Sequence, residues 1–131
     1  PSTLQQQIQL IAQGTTELYQ RVDTLTDRMD KFENDLPLFP EEADNVSGMV
    51  KRRVVEVLGG KDSDAYHNRS LCQSVFMDAY RNLKRNFNVR SYKAIKRRQI
   101  SDAIRIAAEY NPPLYLANQI LDMNAQTKLD L

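Results

Sequence analysis

The 131-residue sequence contains few residues of several types, and each shortage argues against a class of protein. One cysteine, Cys72, excludes an intrachain disulfide framework and a cysteine-rich zinc site. Four glycines and no tryptophan argue against a glycine-rich nucleotide-binding enzyme. No apolar run approaches the roughly 18 residues of a membrane span, and no charged segment followed by an apolar one indicates a secretory signal. We therefore expect a cytoplasmic protein with no membrane contact.

Residues that could carry catalysis are equally scarce. The only histidine, His67, lies five residues from Cys72, which is the wrong spacing for two metal ligands on one helix face. The Gly59-Gly60-Lys61 segment does not match a phosphate-binding loop, because Val55 and Asp62 occupy the positions of the first glycine and the hydroxyl residue. No pair of carboxylates stands out as an acid and a base. The sequence predicts a protein that is not an enzyme and that holds no metal or cofactor.

The charge is distributed unevenly along the chain. Residues 1–50 contain three basic and nine acidic residues, a balance of −6, whereas residues 51–98 contain 13 basic and four acidic residues, a balance of +9. Residues 99–131 contain two basic and four acidic residues, a balance of −2, so the net charge is +1. This asymmetry indicates that the middle of the chain meets an anionic partner.

The first 36 residues carry the seven-residue repeat of a coiled coil. One series of positions (d) holds Leu4, Ile11, Leu18, Leu25 and Phe32, and the other (a) holds Ile8, Thr15, Val22, Met29 and Leu36. Leucine at d and β-branched residues at a favour a parallel dimer through the seam residues Leu4, Ile8, Ile11, Leu18, Val22, Leu25, Met29 and Phe32.

Residues beside the seam leave the oligomeric state open. A parallel dimer would pair Arg28 with Glu33 and place Gly14 opposite Tyr19, while Gly14 costs the helix about 1 kcal/mol. Leu10 and Tyr19 lie off the seam, which keeps a trimer or tetramer open. The alternative is a single long helix that packs against its own domain.

The remaining residues predict an all-α chain in which a compact bundle of about four to five helices follows the long N-terminal helix. We expect a coiled coil over 1–36, a linker over 37–41, a basic helical domain over 42–123 and a tail over 124–131. The predicted helices are 42–58, 65–86, 91–97, 101–110 and 114–123, with Gly59-Gly60 and Pro112-Pro113 among the breaks. The chain is expected to fray from Asn124.

A dense group of cations is the best candidate for a binding site. The predicted DNA-binding residues fall within 18 positions and are Arg81, Lys84, Arg85, Arg90, Ser91, Lys93, Lys96, Arg97 and Arg98. Residues 83–97 also fit a helix-turn-helix, with Val89 and Ile95 in the core and a cationic helix facing a DNA groove. The alternative is a solvated basic face.

The same segment resembles a known family. The order of aromatic and basic residues from Tyr80 through Ile95, followed by Lys96-Arg97-Arg98, is similar to the C-terminal domain of phage antirepressors and related prophage regulators. The resemblance covers about 46–113. It implies gene regulation in a bacterial host cell and an N-terminal module of the Bro-N or KilA-N type ahead of this domain. The absence of methionine before Pro1 agrees with such a preceding part.

These observations predict a homo-oligomeric regulator that binds DNA without catalysis. The alternative is a protein-interaction module that binds a repressor, with the coiled coil presenting several copies.

Overall fold

The computed structural model describes the backbone of residues 3–130 and the side chains of residues 3–126. Within this range, it contains six α-helices, two 3-10 turns and no strand, which confirms the all-α prediction. The chain divides after Leu36 into two compact units, a single long helix and a helical domain.

The first unit consists of α1, Leu4–Asp35. Thr3 and Gln6 form a capping box at its start, where the Thr3 hydroxyl accepts from the Gln6 amide and the Gln6 side chain accepts from the Thr3 amide. The helix ends just before Pro37, which disfavours a helical conformation in the residue that precedes it. Its 32 residues span about 48 Å, and none of them is buried.

The second unit begins with α2, Pro40–Leu58. Pro40 suits the first position of a helix, and the Glu42 carboxylate accepts a 2.9 Å hydrogen bond from the Phe39 amide. The helix therefore starts two residues earlier than we predicted. It ends as expected at Gly59, whose φ of 101° is readily adopted only by glycine.

The helix that we predicted over 65–86 is interrupted near its start. A short helix, α3 (Asp64–His67), is followed by α4 (Arg69–Phe87). Asn68 has extended backbone angles, and its side chain accepts from the Leu71 amide at 3.0 Å, so it caps α4. This local hydrogen bond competes with helix continuation. At the other end, Asn88 adopts the left-handed conformation and stops α4.

The predicted helix over 91–97 is wrong, and with it the helix-turn-helix interpretation. Two 3-10 turns, Tyr92–Ala94 and Arg97–Gln99, occupy this segment. Between them, the fully buried Ile95 is extended, and its carbonyl accepts a 2.9 Å hydrogen bond from the Leu38 amide. Lys96 pairs with Pro37 in an isolated bridge. The segment therefore pairs with the chain entering α2, and its backbone cannot form a continuous helix.

Helices α5 (Ile100–Ala108) and α6 (Leu114–Asp130) complete the domain. α2 packs against α4 and α5, and α6 packs against α3 and α4. The core is aliphatic, and its fully buried large side chains are Val46, Val50, Val54, Leu58, Val75, Leu83 and Ile95. Val89, which we also expected in the core, is only partly buried. Our prediction ended α6 at Met123 and let the chain fray from Asn124; instead, the helix continues and Asn124 bonds to Leu58 and Ala65.

Candidate nucleic-acid interface

The predicted DNA-binding residues lie on one continuous stretch of the second unit. Arg81, Lys84 and Arg85 belong to the last two turns of α4, and the other six lie in the connection and the two 3-10 turns that follow. Most of these side chains are exposed, whereas Lys84 and Arg97 are half-buried. Residues 79–101 contain eight basic residues and no acidic one, so no carboxylate within the stretch itself offsets its positive charge.

An aromatic contact holds the first 3-10 turn against α4. The rings of Tyr80 and Tyr92 lie 5.4 Å apart between centroids and are tilted by 40°. The Tyr80 hydroxyl is in turn 2.9 Å from the Ser47 hydroxyl on α2. Lys93 directly follows Tyr92, and Arg81 follows Tyr80. The contact therefore holds the backbone that carries Lys93 close to the backbone that carries Arg81.

A groove beside this contact combines apolar and cationic side chains. It has a volume of about 240 Å³ and is lined by Phe76, Met77, Tyr80, Arg81 and Lys84. Met77, one of the residues that line the groove, is 61% exposed. Phe76 and Met77 were not among the predicted site residues. The sequence does indicate that Met77 is exposed, because it lies outside the four-residue spacing of the buried residues Leu71, Val75, Ala79 and Leu83.

Arg97 contacts other residues of the chain. Its Nε donates to the Glu42 carboxylate at 3.0 Å, and its guanidinium lies 3.8 Å from the centroid of the Phe39 ring. The hydrogen bond from the Phe39 amide lowers the pKa of Glu42, and Arg97 lowers it further. Because a carboxylate already neutralises Arg97, we expect it to contribute less to an anionic ligand than its exposed neighbours.

Ser91 has a structural function in the same segment. Its hydroxyl accepts a 3.2 Å hydrogen bond from the Lys93 amide and caps the first 3-10 turn. The cap fixes the backbone between the exposed side chains of Arg90 and Lys93.

The seam of α1 is a second candidate binding surface, because its apolar side chains are exposed. The predicted oligomerisation residues are all at least 49% exposed, and they are Leu4, Ile8, Ile11, Leu18, Val22, Leu25, Met29 and Phe32. Eight large apolar side chains along one exposed line form a patch of a kind that marks an interaction surface.

One groove of the second unit is lined by both the histidine and the cysteine of the sequence. His67 and Cys72 line one groove with Tyr66, Arg69, Gln73 and Phe76. Burial raises the pKa of the Cys72 thiol, which lowers its thiolate fraction. Across residues 3–126, no three histidine, cysteine, aspartate or glutamate side chains lie close enough to share a metal ion.

None of the helices that the structure describes combines the length and the apolar character needed to cross a membrane.

Comparison with known proteins gave one match. The model of a protein family, the ORF6C domain, matches residues 7–120 and so includes most of α1 and the helical domain as far as the first part of α6. No curated protein and no solved structure is significantly similar to the chain.

Proposed function

Because the chain belongs to the ORF6C domain family, a regulatory-type domain found in phage and prophage antirepressor-type proteins, we propose that it binds DNA in a transcriptional regulator. The binding is non-enzymatic and takes place in the cytoplasm of a bacterial host cell. One observation carries the proposal: eight basic residues without an intervening acidic one lie on α4 and the two following turns, and most of their side chains are exposed.

The chemistry of this surface suits the DNA backbone. Each phosphate that a cation neutralises releases condensed counterions, and this release drives binding of a cationic surface to any duplex sequence. The segment after α4 forms 3-10 turns rather than a recognition helix, so contacts to phosphates fit it better than insertion of a helix into the major groove. The Tyr80–Tyr92 contact holds the first 3-10 turn, which carries Lys93, against α4, which carries Arg81, Lys84 and Arg85.

Self-association through α1 would strengthen this binding. A helix of 32 residues with no buried residue and a seam of exposed apolar side chains gains most of its stability from a partner helix. We propose that the partner is a second copy of the chain, with higher oligomers as the alternative. Two linked basic surfaces bind one long duplex with higher avidity than a single surface.

Fluorescence anisotropy with labelled duplex DNA tests the proposal, at low and at physiological salt. The variant Arg90→Ala/Lys93→Ala removes two exposed cations, and Lys61→Ala/Arg69→Ala is its control because it removes the same charge from two exposed positions outside the stretch. We expect the first variant to bind at least tenfold more weakly and to reduce the slope of log K against log salt by about 1–2.

The control should bind nearly as the unchanged protein does. If the unchanged protein shows no binding at low salt, or if both variants lose the same affinity, the basic stretch is not a DNA-binding site.

A repressor-binding module remains the second candidate, and the exposed Met77 favours it. A groove lined by the apolar side chains of Phe76 and Met77 and by the cations Arg81 and Lys84 is complementary to a protein segment that carries apolar and acidic side chains. Competition by excess random duplex DNA separates the two candidates, because it displaces any ligand that binds at the DNA site. A repressor complex that resists this competition and is lost in Met77→Ala would favour the second candidate.

A further inference from the structure

Gly14 in the middle of α1 has no explanation within the chain. It is exposed, and a Cβ atom built on it would meet no atom within 4 Å outside its own helix backbone and chain neighbours. A glycine inside a helix costs about 1 kcal/mol relative to alanine, because it loses more backbone freedom on folding. Gly14 thus destabilises α1, and no contact within the described part of the chain offsets this effect.

The heptad positions of Gly14 and Tyr19 indicate a contact between two copies of α1 that would offset the destabilisation. Gly14 directly precedes the seam residue Thr15, and Tyr19 directly follows the seam residue Leu18, so the two flank the seam on opposite sides (positions g and e). In a parallel two-stranded coil, a residue at g lies beside the residue five positions later at e of the partner helix. Gly14 would therefore meet Tyr19 of a second copy.

The sizes of these two residues are complementary. Tyr19 is 68% exposed, so its ring is free to cross the seam. With no side chain at Gly14, a ring can lie directly on the helix backbone and bury apolar area there. Thr15, the one polar residue at an a or d position, donates its hydroxyl to the Ile11 carbonyl at 2.9 Å and therefore needs no partner across the seam.

Charge also favours the parallel orientation. In parallel helices, Arg28 lies opposite Glu33 of the second copy, which gives an attractive pair at each side of the coil. In the antiparallel register that matches all five a positions with d positions, Arg21 meets Arg21 and Tyr19 meets Tyr19 of the second copy. That register places two cations side by side and sets Gly14 opposite Arg28 of the second copy rather than opposite an aromatic ring.

We infer that α1 pairs in parallel and in register with α1 of a second copy, with the Tyr19 ring of each helix packed over Gly14 of the other. The inference rests on the self-association proposed above and adds its polarity and register. Because Pro37 follows α1 at once, both chains leave the coil at the same end. The two helix ends are then about 10 Å apart, so the two basic domains are attached next to each other.

Disulfide crosslinking of the full chain tests the polarity, with Cys72→Ser as the background. In a parallel coil, Leu18 lies opposite Leu18 of the second copy, so Leu18→Cys alone forms a crosslinked dimer on mild oxidation. In the antiparallel register it faces Val22, and crosslinks form only when Leu18→Cys is mixed with Val22→Cys. Gln20→Cys, on the outer face of the helix, is the control that should not crosslink in either case.

Crosslinking of Leu18→Cys with itself supports the inference, and crosslinking only in the mixture overturns the inference while leaving self-association intact. A monomeric mass by light scattering at all concentrations overturns the self-association proposal, and the inference with it.

Substitution of Gly14 tests the contact itself. On helix propensity alone, Gly14→Leu should strengthen the coil. If the Tyr19 ring covers this position, the new side chain displaces it, and the dimer should dissociate at least tenfold more readily. Gln13→Leu introduces the same side chain one position away on the outer face and should not weaken the dimer. Combining Gly14→Leu with Tyr19→Ala should cost less than the two single changes added together.

If Gly14→Leu leaves the affinity of the dimer unchanged or increases it, Tyr19 does not occupy the space above Gly14.

Discussion

Among single residues, Tyr110 connects several parts of the helical domain through its side-chain hydroxyl and its backbone carbonyl. Its hydroxyl donates to the Asp78 carboxylate on α4 at 2.6 Å, and its backbone carbonyl accepts from Arg53 Nε on α2 at 2.6 Å. Arg53 also donates to the Asn111 side chain at 2.8 Å. Burial raises the pKa of Tyr110, and the hydrogen bond to Asp78 raises it further. One aromatic residue thereby ties α2 and α4 to the segment after α5.

We expect Tyr110→Phe to lower the free energy of unfolding by about 1–3 kcal/mol, because the half-buried Asp78 loses its hydrogen-bond donor. The raised pKa adds a dependence on pH. The unfolded chain ionises its tyrosine from about pH 10, whereas the folded chain keeps Tyr110 neutral, so the stability that this group contributes is present below pH 10 and falls above it.

Urea unfolding at neutral pH and above pH 10 measures both effects, and Tyr115→Phe is the control at neutral pH because Tyr115 is exposed. A variant as stable as the unchanged protein at neutral pH would show that the hydrogen bond to Asp78 contributes nothing to stability.

At the scale of helices, α6 completes the ends of two other helices. The Asn124 side chain donates to the Leu58 carbonyl at the end of α2 and accepts from the Ala65 amide at the start of α3, at 3.0 and 2.9 Å. The ends of helices leave such carbonyl and amide groups without partners inside the helix. Asn124 is thus the residue through which α6 holds the α2–α3 corner.

Asn124→Ala should destabilise the domain by about 1–3 kcal/mol, because it withdraws a donor and an acceptor from partly buried backbone groups. Urea unfolding compares it with Asn118→Ala, an exposed asparagine on the same helix, which should change stability by less than about 0.5 kcal/mol. Equal effects of the two substitutions would mean that Asn124 does not hold the corner.

For the whole molecule, the proposed function requires two properties at once, self-association by α1 and a basic surface on the helical domain. Leu18→Asp/Leu25→Asp places charges in the seam without altering the basic stretch. We expect a monomer that binds a long duplex roughly 10–100-fold more weakly, because avidity is lost, and that keeps its affinity for a duplex with room for one domain.

Gln13→Asp/Gln20→Asp adds the same charge to the outer face of α1 and serves as the control. Light scattering reports the mass, and anisotropy reports the affinity. Unchanged affinity of the monomer for the long duplex would mean that oligomerisation does not contribute to DNA binding.

Several parts of this fold were predictable because they depend on neighbours in sequence. The periodic apolar residues of α1, α2 and α4 identify these helices, and the glycine at the end of α2 and the serine before the first 3-10 turn identify local caps. The density of cations from Arg81 to Arg98 is likewise a property of the sequence alone.

The 91–97 segment shows why other parts were not predictable. Its residues resemble the start of a cationic helix, and local propensity cannot show that Ile95 pairs with Leu38, 57 positions earlier in the chain. Nor can it show that Arg97 binds Glu42 and lies on Phe39, which gives this predicted site residue an acidic partner within the chain. Contacts between distant residues outweigh helix propensity here, since a helical turn contributes little without packing.

The all-α class, the uninterrupted length of α1 and the concentration of positive charge follow from the order of residues along the chain, because periodicity, capping and composition act over a few residues. Packing in three dimensions sets which cations remain exposed, replaces a helix by two 3-10 turns, and continues α6 past Met123 so that Asn124 lies at the α2–α3 corner. Burial and hydrogen bonding between residues far apart in the chain set these features, and no local pattern records them.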